Sequence, residues 1–230
     1  MEATTTPAPS YLRLWFWSAF VAILALINYA GRFSANHNGK SAGQVSVYSY
    51  DTFFGGLMFY AIWFGLVLLI CINRFDLLAL RPPQSLRRAL GLAVAAMAAI
   101  WLCEAFVSFI PLPQSPGHEQ GITTIHWEPA HAGAFAANVV LFAVVAPFVE
   151  ELTFRGAGQS LLRFLGSVPS ILIVGTAFGL AHGLVEGLLV LVPFGIALAW
   201  LRDRTESVVP GMFVHGLFNG IALAAAVLLN

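Results

Sequence analysis

Hydrophobic residues run in long blocks along this chain, and most polar residues are gathered between the blocks. A helix crossing a bilayer needs roughly 20 apolar residues at about 1.5 Å of rise each. Seven segments answer to that pattern. They are Tyr11–Ala30, Phe53–Asn73, Ala89–Ile110, a fourth from near Ala134 through Glu150 and Glu151, then Ser167–Gly183, Leu188–Leu201 and Val208–Leu229. The sixth is short, so an eighth crossing stays open as a variant of the count. The pattern predicts an all-α polytopic transmembrane helix bundle. Two long stretches, Gly31–Thr52 and Pro111–Gly133, are rich in turn-forming and polar residues and read as loops. Neither an internal repeat nor a soluble domain is visible. Met1 to Ser10 is polar and lacks a basic leader region, so the first apolar run reads as a retained anchor.

Composition strengthens this picture. The chain is 59% hydrophobic and 10% charged, with mean hydropathy +0.82. Soluble domains carry about 25% charge, and a soluble fold this apolar would expose large greasy patches. The net charge of zero and the absence of a basic stripe argue against nucleic acid as a partner. Cys71 and Cys103 both lie in apolar runs, form no CxxC pair, and read as buried thiols. Arginine placement sets the expected orientation. The loop after the second helix holds Arg74, Arg81, Arg87 and Arg88, and calling it cytoplasmic puts Arg13, Arg155, Arg163, Arg202 and Arg204 on the same side. Only Arg32 and Lys40 of the eleven basic residues then lie outside. That predicts a cytoplasmic N-terminus and an external C-terminus, in a plasma membrane such as the bacterial inner membrane.

Ionisable groups inside a span are costly and point to function. Here they cluster in the last hundred residues. The first group is Pro147-Phe-Val-Glu150-Glu151-Leu-Thr-Phe154-Arg155-Gly156. Neighbouring helical residues point about 100° apart, so the two carboxylates face different ways. Glu151 and Arg155, at i and i+4, can pair. Glu150 is left without a local cation, which is the setting of a carboxylate that exchanges protons near neutral pH. The second group is Phe178-Gly-Leu-Ala-His182, and the third is His215-Gly-Leu-Phe-Asn219, whose two polar members share a face. Taken singly, each has a plain structural alternative: a helix end at the interface, a satisfied core histidine, or a helix-packing patch. Together they must avoid lipid and so face one shared interior. Helix rise places Glu150 roughly 18 Å, His182 roughly 21 Å and Asn219 about 16 Å along their helices, close to mid-membrane. Convergence requires the fourth helix to run on to about Arg163.

These motifs resemble the CPBP family, also called the Abi or type II CAAX prenyl protease family. Its pattern is E-E-x-x-x-R, then F-x-x-x-H, then H-x-x-x-N, matched here by Glu150, Glu151 and Arg155; Phe178 and His182; His215 and Asn219. The likeness covers about residues 138–228. It divides the chain into N-terminal helices with two external loops (1–133) and a catalytic membrane core (134–230). The resemblance implies an intramembrane endopeptidase. By analogy Glu150, helped by His182, activates water; His215 and Asn219 stabilise the oxyanion; Glu151 and Arg155 orient the site. The substrate would be a membrane-associated, lipid-modified or C-terminal tail peptide. Either a glutamate mechanism or a metalloprotease fits the family, and a zinc ion could use Glu150, His182 and His215 as its three protein ligands. No HExxH motif is present. The rival readings are a non-enzymatic immunity or scaffold protein of the Abi type, and a proton-coupled transporter, for which inverted halves are lacking.

Other polar positions carry weaker expectations. His118, His126 and His131, with Glu119 and Glu128, read as surface-loop residues. Glu104 is expected to face the bundle, and Glu186 to sit in a loop or at the rim of the site. Trp15, Trp17, Trp63, Trp101, Trp127 and Trp200 are expected mostly at membrane interfaces.

Overall fold

A computed structural model describes residues 10–37, 46–113 and 126–228. Among them are seven principal helices and no strand. The helices are α1 (Tyr11–His37), α2 (Tyr50–Ile70), α3 (Leu86–Val107), α4 (Pro129–Leu165), α5 (Ser167–Ala181), α6 (Leu188–Thr205) and α7 (Val209–Leu228). Five of them, α1, α2, α3, α4 and α7, are long and apolar enough to cross a membrane. The count of seven crossings is thus not reached on length and composition. α5 has only 15 residues, and α6 carries Arg202, Asp203 and Arg204 near its end.

Local chemistry sets the helix starts. Ser49 accepts a hydrogen bond from the Asp51 amide at the start of α2, and Ser85 accepts one from the Arg88 amide at the start of α3. Such caps satisfy amides that have no partner within the helix. α1 runs to His37, further than Ala30, and α4 begins at Pro129, before Ala134. α4 is the central element. Its 37 residues reach roughly 55 Å at the rise of an α-helix, well beyond a hydrocarbon core of about 30 Å. It runs without a break past Glu150 to Leu165, as convergence of the motifs requires.

Two stretches within the continuous α4 are π-helical, Leu141–Val145 and Leu152–Gly158, one on each side of the Glu150–Glu151 pair. A π turn moves the backbone bonding from i−4 to i−5, disturbs the regular ladder and is frequent at functional sites. Carbonyls in both stretches take side-chain donors. Asn219 Nδ2 donates to Phe142 O at 3.0 Å. Trp17 Nε1 donates to Thr153 O at 2.9 Å.

α5 and α6 pack closely along their length. A Cβ at Gly195 would come within 2.5 Å of Gly175 O, so glycine at this crossing lets the two backbones touch. Without a hydrophobic drive between helices in lipid, such small-residue contacts supply the association. The basic end of the bundle is stitched by side chains: Arg13 donates to Ile70 O and Ile72 O, Arg81 to Glu206 O, and Arg202 to Ser160 Oγ.

Several sequence expectations are corrected here. Trp17 and Trp63 are buried in the bundle instead of lying at interfaces, because each indole N–H finds a polar partner on α4, Thr153 O and Thr153 Oγ1. Trp15, Trp101 and Trp127 are exposed, and Trp200 is half-buried. Glu104 is exposed and does not face the bundle interior. Its neighbour Cys103 donates to the Leu189 carbonyl in the first turn of α6. Cys71 is fully buried as expected, but Cys103 is only half-buried. His126, His131 and Glu128 are exposed, and His131 contacts Glu128 at 2.9 Å. His118, Glu119 and Lys40 lie outside the described residues.

Candidate active site

The site is built on one turn of α4 and closed by α2, α5, α6 and α7. Glu151 and Arg155 pair as their spacing predicts, at 2.7 Å between Oε1 and Nη1, and both side chains are wholly buried. Hydrogen bonds to the remaining atoms offset part of the loss of solvent around a buried ion pair, and here Arg155 Nε and Glu151 Oε2 are buried without one. Arg155 Nη2 donates to Gly195 O at 3.0 Å, and the guanidinium lies over the Phe178 ring at 4.3 Å. A guanidinium over an aromatic face gains roughly 0.5–2 kcal/mol. Glu151 Oε1 also meets His215 Nδ1 at 3.0 Å. Glu151 Oε2 lies against α7 at Gly211, where a Cβ would come within 2.8 Å. Any larger residue there would push the carboxylate out of place.

Glu150 faces the other way, as the 100° step between neighbours demands. Its side chain is 7% exposed. Oε1 accepts from the Tyr60 hydroxyl at 2.8 Å. Oε2 lies 3.7 Å from His215 Nε2 and 4.0 Å from His182 Nε2. One carboxylate oxygen therefore stands before both imidazoles.

His182 follows the last residue of α5, where the helix runs out of internal donors. Its Nδ1 lies 2.8 Å from Phe178 O. A carbonyl can only accept, so Nδ1 carries the hydrogen and Nε2 points toward Glu150. Gly183, at φ +65°, then turns the chain away. α1 completes this helix end: Asn28 donates to Ala181 O, Arg32 to Gly183 O and Tyr29 to Leu184 O. His182 thus sits at a helix terminus, not inside a span as its sequence depth suggested, and its side chain is 31% exposed. That makes it the open side of the site. His215 is buried and Asn219 half-buried on α7, with Asn219 tied to the α4 carbonyl of Phe142.

All six residues singled out in the sequence are therefore built around α4. Glu150, Glu151, Arg155, His182 and His215 form one contiguous polar cluster. Asn219 joins it through the backbone of α4 one π turn away. Glu186 is half-buried in the turn before α6. Tyr60 and Trp63 were missed, because in the sequence they are two aromatics in an apolar run. Their three-residue spacing, which puts both polar tips on one helix face, was the available signal.

Residues 132–221 match a family model described as type II CAAX prenyl endopeptidase Rce1-like. The C-terminal part of this chain is therefore similar to that family. The matched segment contains the whole of the six-residue cluster, whereas Tyr60, Trp63 and Trp17 precede it. No curated protein and no solved structure matches the chain. With five helices of membrane-spanning length and composition among the described residues, the chain is an integral membrane protein.

The fit to a zinc ion is poor. Bonds of about 2.0–2.1 Å in tetrahedral geometry set ligand atoms roughly 3.3 Å apart. Glu150 Oε2 stands 3.7 and 4.0 Å from the two Nε2 atoms. Among the described residues no group of three His, Cys, Asp or Glu side chains has the spacing of a metal site.

Proposed function

We propose that this protein is an intramembrane endopeptidase of the glutamate type, with Glu150 as the general base. The observation that carries the reading is the position of Glu150 Oε2 before both His182 Nε2 and His215 Nε2, with Oε1 already occupied by Tyr60. A water bound by Oε2 loses a proton to the carboxylate as its oxygen bonds to the scissile carbonyl carbon. The carbonyl π electrons move to oxygen and give a tetrahedral oxyanion. His182 Nε2 accepts a hydrogen bond from the water, then takes the proton from Glu150 and delivers it to the leaving nitrogen; the oxyanion electrons re-form the carbonyl as the C–N bond breaks, releasing an amine and a carboxyl terminus. His215, with a hydrogen on both ring nitrogens so that Nε2 donates while Nδ1 is bonded to Glu151, and the second amide hydrogen of Asn219 stabilise the oxyanion. Glu151 holds His215 by Nδ1, and Arg155 fixes Glu151. No step in this scheme needs a metal ion.

The substrate class follows from location and family. A peptide must enter the bilayer region to reach a cluster this buried, so a lipid-anchored C-terminal tail suits it. The family description names CAAX prenyl endopeptidases, which makes a farnesylated C-terminal peptide the first probe. In proteoliposomes, wild-type protein should release the fluorescent tail of such a peptide. Glu150→Gln and His182→Ala should not, while both retain helical content and detergent-solubilised size. Wild-type rates from Glu150→Gln would overturn the assignment of the base.

A further inference from the structure

Tyr60 stands on α2, outside the matched residues 132–221, yet its hydroxyl donates to Glu150 Oε1 at 2.8 Å. A carboxylate has two equivalent oxygens and a broad, roughly twofold terminal torsion. A donor held on one oxygen fixes that torsion and decides which oxygen is left to work. Oε2 is the oxygen left, and it is the one within 4.0 Å of both imidazoles.

Tyr60 is itself held in place. Its ring stacks on Trp63, with centroids 5.6 Å apart and planes 17° apart, and meets the edge of Phe59 at 5.3 Å. Trp63 Nε1 donates to Thr153 Oγ1 at 2.8 Å, and the Thr153 hydroxyl donates to Val149 O at 2.7 Å. Both ends of the contact are therefore tied to residues 149–153 of α4. A tyrosine hydroxyl among apolar helices needs some acceptor. This one has a carboxylate, on a ring whose stacking partner is bonded to the same turn.

We infer that Tyr60 is a positioning residue for Glu150, holding Oε1 so that Oε2 alone faces the histidine pair. The role of Glu150 in the proposed protease reaction is the premise. Tyr60→Phe keeps the ring and its stacking and removes only the hydroxyl.

The test uses full-length protein in proteoliposomes and the farnesylated fluorogenic peptide. Tyr60→Phe should lower kcat roughly 10- to 100-fold, the range expected when a reacting group is displaced by about 1 Å. KM should stay within about twofold and the thermal midpoint near wild type. Trp63→Phe, which breaks the anchor to Thr153, should give a smaller fall in kcat. An unchanged kcat, or a raised KM with kcat intact, would overturn the inference. Infrared spectroscopy supplies a readout that needs no turnover. The Glu150 carboxyl band, identified by its loss in Glu150→Gln, should move in Tyr60→Phe, and a band that stays put overturns the contact. Should wild-type protein leave the peptide uncut, the protease reading fails by itself, and the infrared band still decides the role of Tyr60.

Discussion

Replacing Arg155 by methionine removes a cation that has no exposure and leaves the Glu151 carboxylate with His215 Nδ1 as its remaining donor. Removing one member of a buried ion pair costs about 3–5 kcal/mol, because the other is left charged without solvent. Loss of the guanidinium from the Phe178 face adds roughly 0.5–2 kcal/mol. Glu151→Gln should cost a similar 3–5 kcal/mol by the same reasoning, since the cation then keeps only Gly195 O and the Phe178 face. The double variant Glu151→Gln, Arg155→Met removes both charges, and replacing a whole buried pair with apolar or neutral groups is often close to neutral. Its cost should therefore fall several kcal/mol short of the sum of the singles. Equilibrium unfolding in mixed micelles, followed by helical circular dichroism, measures all four corners of the cycle. Additivity within about 0.5 kcal/mol would refute the reasoning, because pairs that touch do not behave independently. The double variant should nevertheless cleave slowly, since His215 then lacks its ionised partner.

Three further outcomes are expected. Asn219→Ala should lower kcat by about 10²–10³-fold with little change in KM if its amide serves the oxyanion; a rise in KM alone in steady-state assays of the farnesylated peptide would count against that role. Gly195→Ala drives a Cβ toward Gly175 O at 2.5 Å, and should lower stability by about 1–3 kcal/mol by overpacking the α5–α6 crossing, as read by thermal unfolding in detergent. Prolonged treatment with 1,10-phenanthroline, followed by metal analysis, should leave cleavage unchanged; loss of activity that zinc restores would sink the metal-independent mechanism.

Much of the bundle was legible in the sequence because lipid imposes a simple rule. Apolar runs of spanning length must be helices, since backbone polar groups in hydrocarbon have only each other. The same rule gathered Glu150, Glu151, Arg155, His182, His215 and Asn219 as a candidate set, since none of them belongs in lipid. The Glu151–Arg155 pair was also readable, because an i, i+4 contact depends only on the pitch of one helix. The helix ends were less so: α1 extends to His37, and α5 stops at Ala181, just short of His182.

What only the tertiary structure decided was which atoms meet. Tyr60 and Glu150 are 90 positions apart, as are Trp63 and Thr153, while Trp17 and Thr153 are 136 apart. No periodicity within a helix reports contacts at such separations. They depend on how α1 and α2 lie against α4, and that is set by small residues, side-chain hydrogen bonds and the π turns. Sequence alone determined that this chain lives in a membrane and which charged groups it keeps from lipid. Packing determined that Tyr60 holds one oxygen of Glu150 and that the other faces His182 and His215, because helix contacts fix side-chain torsions that the residue pattern leaves open.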